Sequence, residues 1–370
     1  MTTHAALSPR MKWTALAIVV LIGVIVALAA AEGVVRLRQW SKQGTAASFE
    51  SLYRVDERIN LRVLVPGSRM GNITVNSLGF RGPEIAVPKP KGRIRIAFLG
   101  ASTTFCAEAS SDEAVWPHLV VEKLRARFPD ADFDYVNGGV PGYTVQSSLK
   151  NLVHRVEPLQ PDVIVIYHAT NDMSQEMRQL AVDQGLMKAT DVEHRSWLAQ
   201  NFRMWELVEK NLRVLIARQG AESDTGRVVL DKANLGVKFR KDLSDLIQAA
   251  GRENRPVAVA TFSTQLRPEQ SAEVRKRAAV SALVYMPAMS LDGLLTGYAR
   301  YNDVIREVAR SHGALLIQGE NDIPGDAAHF ADSVHFSDAG NRLMAERVFK
   351  ALSGDPRIAE LMASHTRVRG

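Results

Sequence analysis

A serine, an aspartate and a histidine in this chain are spaced so that they could act together on an acyl group. In "FADSVHFSDAGNRLMAERVF", Asp332 stands three residues ahead of His335, just before a helical pattern. That spacing puts a carboxylate and an imidazole on the same side of one turn. The carboxylate can accept from Nδ1–H, fix the tautomer and leave Nε2 facing a nucleophile. "RIRIAFLGASTTF" (93–105) offers the nucleophile: alternating Ile94, Ile96 and Phe98 run into Gly100, and Ser102 follows. Nucleophilic serines often sit at such strand-to-turn junctions, although Thr104 stands where a G-x-S-x-G elbow has its second glycine.

Two further segments carry groups able to stabilise a developing oxyanion. "YHATNDM" supplies Asn171, whose amide can donate; an Asx turn closing the strand explains it equally well. "NGGVPGYT" supplies Gly142, which can bring a backbone N–H close to a ligand or simply make a tight turn. A metal reading of His329, Asp332 and His335 lacks both a helical register and a fourth ligand. His168 beside Asn171 reads as a satisfied structural histidine, and the lone Cys106 as a buried structural thiol. Taken jointly, the segments supply a nucleophile, a base, its orienting carboxylate and two oxyanion donors, a complete acyl-transfer set.

The elements that must position these residues alternate. Apolar strands are expected at 94–99, 133–137, 162–167, 256–261 and 314–317, and helices at 113–128, 144–156, 234–253, 294–312 and 338–352. Near-continuous Val/Ile strands bracketed by helices imply an α/β protein with a parallel sheet covered on both faces. Ligand sites in such sheets lie beyond the carboxyl ends of the strands, where Ser102, Gly142 and Asn171 all fall. Residues 173–233 and 264–292 interrupt the alternation and read as walls, a lid or packing decoration.

The chain has 370 residues, 46% of them hydrophobic and 23% charged, with a net charge of +6. The basic clusters Arg36/Arg38 and Arg275–Arg277 lack aromatic interleaving, which argues against nucleic-acid binding. One cysteine excludes an intrachain disulfide. "WTALAIVVLIGVIVALAAA" (13–31) is uncharged and long enough to cross a bilayer. It exceeds the h-region of a cleavable signal peptide, the rival reading raised by its Ala-x-Ala sites. Charge flanking the span is nearly balanced, so orientation follows from the large domain behind it, which implies export. The expected organisation is a tail at 1–12, a transmembrane signal-anchor helix at 13–35, a connecting region at 36–92, a catalytic domain at 93–353 and a tail at 354–370.

Four of these segments in their order resemble the SGNH (GDSL-type) hydrolase family. "FLGASTTF" resembles its serine block, "VNGGVPGYT" the block of the oxyanion glycine, "HATND" the Gly-x-Asn-Asp block and "DSVH" the terminal Asp-x-x-His block. Ala101 and Ala169 replace the family's aspartate and glycine. "NSLGFRGPE" is similar to a segment ahead of the serine block in membrane-anchored bacterial members. The resemblance implies a three-layer α/β/α flavodoxin-like fold. It implies Ser102, His335 and Asp332 as a triad, and Ser102, Gly142 and Asn171 as the oxyanion hole. Neither metal nor cofactor is implied.

The expected function is a single-pass, inner-membrane serine esterase with an extracytoplasmic domain, cleaving an acetyl or other short acyl ester. The partners expected are the membrane and an acylated small molecule, glycan or lipid, with envelope or exported polysaccharide foremost. Lipid or thioester hydrolysis and O-acyl transfer stay open, as does a non-catalytic envelope assembly role.

Overall fold

The structure, a computed structural model, describes residues 8–44, 48–189, 196–221 and 227–366. The first seven residues of the expected N-terminal tail and the last four of the C-terminal one lie outside that range. Two compact units emerge, Met1–Ala47 with Glu193–Leu212, and Ser48–Val192 with Arg213–Gly370.

In the first unit, α1 (Pro9–Gln43) is one uninterrupted helix, opened by the Ser8 cap and closed by Gly44 in the left-handed region. It is longer than the expected 13–35 because its helix-compatible sequence runs on through Arg36 and Arg38. Its stretch Arg10–Ser41 is long and apolar enough to cross a membrane.

In the second unit the chain first makes two small antiparallel pairs, β1 (Tyr53–Asp56) with β2 (Leu61–Leu64) and β3 (Arg69–Met70) with β4 (Ile73–Thr74). Then β5 (Arg93–Gly100) enters the centre of the molecule, buried along nearly its whole length. It is followed by the single-turn α2 (Ser102–Phe105), α3 (Trp116–Arg127), β6 (Asp132–Asn137) and α4 (Val145–Asn151). The expected helix at 144–156 is α only to Asn151 and continues as a wider π turn to Val156. Next come β7 (Val163–Tyr167) and α5 (Thr170–Asp183); α6 (Trp197–Asn201) and α7 (Arg203–Gly220) as far as Leu212 belong to the first unit, and the second resumes through α8 (Val237–Ala250) and β8 (Val257–Ala260). The chain ends through α9 (Ala272–Tyr285), α10 (Leu291–Ser311), β9 (Leu315–Ile317), α11 (Asp338–Gly354) and α12 (Pro356–Thr366). The last of these occupies what the sequence suggested was a tail, and it buries Ile358 and Met362 in the core.

The five strands form one parallel sheet in the order β6-β5-β7-β8-β9. From β5 the chain steps to one side for β6 and to the other for β7, so the strand order reverses between β5 and β7. That reversal opens a crevice at the carboxyl edge, where ligands bind in sheets of this kind. Ser102 follows β5 and Asn171 follows β7, one on each side of it.

Residues 48–92 form more than a connection. Leu52, Leu61, Val63, Met70 and Ile73 build a second apolar cluster that takes in Ala101 and Phe105 from the β5–α2 turn and Val140 and Tyr143 from the loop after β6. The segment thus packs directly against two of the loops in question.

Candidate active site

The turn after β5 is shaped by glycine and fastened from three sides. A Cβ at Gly100 would collide with the Thr104 side chain and stand 2.8 Å from the Tyr167 carbonyl, so only glycine lets α2 start here. In a four-residue helix only the first carbonyl, Ser102 O, meets a backbone donor, the Cys106 N–H at 2.7 Å. Buried side chains supply donors to the others: Trp116 Nε1 donates to Thr103 O at 3.0 Å and Asn137 Nδ2 to Thr104 O at 3.0 Å. Arg81, fully buried, donates to Phe105 O at 2.8 Å and Cys106 O at 2.6 Å while pairing with Asp112 at 2.7 Å. The arginine of "GFRGPE" therefore closes the C-terminal end of the turn that begins with Ser102. Ala101 lies 3% exposed in the apolar cluster, where an aspartate would lose its hydration without a partner.

His335 reaches this turn from the loop before α11. Its Nε2 is 2.8 Å from Ser102 Oγ and its Nδ1 2.8 Å from Asp332 Oδ2. The other carboxylate oxygen of Asp332 accepts the backbone N–H groups of Val334 and His335, each at 2.9 Å, which fixes the carboxylate under the ring. Ser333 anchors the loop: its Oγ donates to Ala278 O at 2.5 Å and its N–H to Ser281 Oγ at 3.0 Å, both on α9. Behind His335, Phe336 stacks on Tyr167, and Tyr167 on Phe262.

Burial alone would lower the basicity of His335, but the Asp332 hydrogen bond and the charges of Glu108 and Asp332 outweigh it and push the imidazole up to about 9. Glu108 Oε1 stands 4.0 Å from Nδ1. The Asp332 carboxyl is raised by burial and lowered by its bonds to His335, and the net is below its ordinary range. A serine whose proton faces an imidazole backed by a carboxylate can be activated as a nucleophile.

Of the two other sequence-derived candidates, Asn171 is tied to the loop that carries Gly142. Gly142, itself exposed, takes φ +87°, a conformation favouring glycine, in the otherwise largely buried loop ahead of α4. Asn171 lies in the first turn of α5 rather than in an isolated Asx turn, and its Nδ2 donates to Tyr143 O at 2.8 Å. That bond ties the asparagine amide to the residue following Gly142. The neighbouring Asp172 accepts the Val145 N–H at 3.1 Å, so the β7–α5 junction also secures the start of α4.

Two groups escaped the sequence reading. Glu108 had no motif to mark it, and only folding brings it to His335. Arg62 of β2 lies 3.8 Å over the Tyr53 ring, pairs with Glu50 at 2.8 Å, and places Nη1 4.0 Å from where a Cβ at Gly142 would stand. An antiparallel hairpin ahead of the domain thus borders the Gly142 loop.

The remaining readings resolve simply. His329 bonds Asp326 at 2.8 Å and does not join Asp332 and His335. His168 is buried against Ser148 Oγ at 2.7 Å. Cys106 is buried, its thiol pushed up to about 12 by desolvation, which makes it unreactive. A cavity of about 440 Å³ lies between β8 and α10, bordered by Phe262, Arg267, Tyr298 and Asn302, and it contains none of the five candidate residues.

The chain was compared with known proteins. No curated protein sequence matches it significantly. Among solved structures, an acetylxylan esterase from Geobacillus stearothermophilus is 18% identical, with 71% of this chain and 95% of that one covered at a TM-score of 0.43. A lipase/acylhydrolase from Enterococcus faecalis is 19% identical, with 70% and 96% covered at 0.43. A two-domain esterase active on acetylated mannans is 16% identical, with 73% and 49% covered at 0.41. The family model of the GDSL-like lipase/acylhydrolases matches residues 98–343, most of the chain. That span contains Ser102, Gly142, Asn171, Asp332 and His335 in the order the sequence suggested. The chain belongs to the GDSL-like lipase/acylhydrolase family and is a carboxylic ester hydrolase.

Proposed function

We propose that the protein is a membrane-anchored serine esterase with Ser102 as nucleophile, His335 as general base and Asp332 as the residue that orients it. The observation carrying this reading is the continuous relay of two 2.8 Å contacts from Ser102 Oγ through His335 to Asp332. His335 Nε2 takes the Ser102 proton as Oγ attacks the ester carbonyl, then returns it to the leaving alcohol. Water repeats the sequence to release the acid. The backbone N–H groups of Ser102 and Gly142 and the Asn171 amide receive the oxyanion of each tetrahedral intermediate. No proton has to leave Asp332, since its role is to compensate the imidazolium.

The anchor in this reading is α1, held in the cytoplasmic membrane as a single uncleaved span with the catalytic domain outside the cytoplasm. Its apolar run of helix supports the span; a cleaved signal sequence would show the same composition. The substrate class we infer from that placement is an acetyl or other short acyl ester on an envelope or exported polysaccharide. Lipid esters, thioesters and transfer to a sugar hydroxyl are the competing outcomes.

The test uses the full chain in detergent. A fluorophosphonate probe should label the wild type and not Ser102→Ala. A panel of short acyl esters, acetylated glycans, phospholipids and acyl thioesters should then be hydrolysed with the glycan esters preferred. Labelling that survives Ser102→Ala defeats the assignment, and absence of all labelling returns the non-catalytic assembly role.

A further inference from the structure

The segment α6–α7 is built the wrong way round for a helix packed on protein. Trp205, Val208, Leu212 and Leu215 recur at helical spacing and are all exposed, Leu212 at 53%. Trp197 and Phe202 extend the same exposed apolar surface through α6. Arg203, Glu206, Glu209 and Arg213, by contrast, are only half-exposed. A helix that turns its apolar stripe outward needs an apolar neighbour of its own.

The first compact unit identifies that neighbour. The carboxylate of Glu32 on α1 accepts the N–H groups of Arg203 at 3.0 Å and Met204 at 2.9 Å, the first two residues of α7. Glu32 also pairs with Arg36 at 2.6 Å. It is the first charged residue after the uncharged run 13–31, whose rise of about 28 Å matches a bilayer core of about 30 Å. Glu32 therefore marks the depth at which α1 leaves the hydrocarbon, and α7 starts at that depth. Over Arg203–Gly220 the helix carries four basic and two acidic side chains, a balance suited to anionic headgroups.

We propose that α6–α7 is an interfacial membrane helix that lays Trp205, Val208 and Leu212 into the lipid surface beside α1. This rests on the reading of α1 as a membrane span. The protein would then hold the bilayer at two places, one crossing it and one lying in its face. An amphipathic helix with aromatic and aliphatic anchors on one side and basic residues on the other has this physical character.

The full chain is reconstituted in vesicles of phosphatidylcholine and phosphatidylglycerol containing nitroxide-labelled lipid. The variants Val20→Cys, Lys210→Cys and Leu212→Cys each carry an environment-sensitive fluorophore; the buried Cys106 stays in place. Retained ester hydrolysis shows that each variant folds. The expected result is quenching at Val20 by a deep nitroxide. At Leu212 quenching comes from a shallow one, at least about twofold stronger than at Lys210. Equal weak quenching at Leu212 and Lys210, with Val20 still quenched, overturns the proposal while leaving the anchor intact. Leu212 cross-linking between two copies, without quenching, assigns the face to a second chain and also overturns it. An unquenched Val20 removes the anchor and the proposal together.

Discussion

Among the described residues two Ser–His–Asp sets stand out, and they behave oppositely. In one, Ser102 faces His335, whose Nδ1 lies 2.8 Å from Asp332. In the other, Ser148 Oγ lies 2.7 Å from His168 Nε2, but His168 Nδ1 is 4.0 Å from Asp172. Asp172 spends its oxygens on the Val145 N–H instead. The consequence is electrostatic. His335 is pushed up to about 9, because a bonded carboxylate and Glu108 outweigh its burial. His168, desolvated with no carboxylate in contact, is pulled down to about 3, and burial raises the Asp172 carboxyl to about 7. Ser148 is fully buried whereas Ser102 is partly open. The two sets share their residue types and differ in contact between carboxylate and imidazole and in access for an ester carbonyl. The second set ties α4 to the β7–α5 junction and is a structural strut.

The sharpest way to break that comparison is to remove each serine and histidine in turn. Ser102→Ala and His335→Ala should each lower kcat by roughly 10⁴-fold or more, without adding in the double variant, because the two act as a unit. Ser148→Ala should leave kcat within about tenfold while lowering stability by about 1–2 kcal/mol in thermal unfolding, the cost of a lost buried hydrogen bond. A folded Ser148→Ala protein devoid of activity would make the second set functional. Asp332→Asn should retain more activity than His335→Ala, since the histidine remains but loses its orienting anion.

The next effect in size tests whether the open set has its oxyanion donors. Asn171→Ala should reduce kcat by about 10²–10³-fold with little change in KM, since the amide is used chiefly when negative charge develops. Wild-type kcat in a folded variant would end that assignment. A smaller effect on activity is expected from Arg81, whose place is behind the nucleophile turn. Arg81→Ala removes the cationic partner of Asp112 and the side-chain donor to Phe105 O, leaving Asp112 the Thr74 N–H and Cys106 O the Ala109 N–H, and should lower stability by about 3–5 kcal/mol. Arg81→Lys should recover part of that stability, yet one ammonium cannot reproduce the fork that sends Nε to Asp112 and Nη1 to Phe105 O and Cys106 O. Steady-state kinetics beside a melting curve separates the two effects. A stable Arg81→Lys enzyme with raised KM and unchanged kcat would place Arg81 at the substrate.

Much of the open set was legible in the sequence, and little of the strut was. Ile94, Ile96 and Phe98 announced β5, and a nucleophile at its carboxyl end follows from the architecture. The Asp332–His335 pair is local, so its spacing could be read directly. Their meeting with Ser102 joins residues more than two hundred positions apart, and only the order of four motifs suggested it. The strut was invisible because Ser148 sits mid-helix with nothing to mark it, and His168 was recognised only as satisfied. Glu108 follows α2 with no motif of its own. The β1–β2 hairpin went unread because its strands are only four residues long and broken by Arg54, Asp56 and Arg62, although they border the Gly142 loop. α12 was missed because it is short and mixed in composition, and Ile358 and Met362 are buried only by packing on the core. α6–α7 falls in the interruption at 173–233, and sequence alone does not say whether an apolar helix face there turns to protein or away.

The smallest expected effect probes the electrostatics that distinguish the two histidines. A general base must be neutral in the free enzyme, so kcat/KM should rise with pH through a midpoint of about 9, the position to which His335 is pushed. Glu108 is partly exposed and contributes through space from 4.0 Å, so water screens it. Glu108→Gln should move the midpoint down by under about one pH unit and leave the plateau rate nearly unchanged. The stability consequences run in opposite directions at the two sites. His335, raised above its ordinary 6.5, contributes stability that is complete below 6.5 and is lost as pH climbs through about 9. His168 is held neutral in the fold, so the unfolded chain takes up its proton first and stability falls as pH drops from 6.5 toward 3. Asp172, raised from 3.8 to about 7, keeps its proton in the fold, and its contribution fades as pH rises through that interval. It therefore opposes His168 across the acid range. Glu108→Gln should change the alkaline limb of the unfolding free energy and leave the acid limb as it was. A change in the acid limb, or a kcat/KM midpoint that stays put, would show that Glu108 does not set the charge of His335.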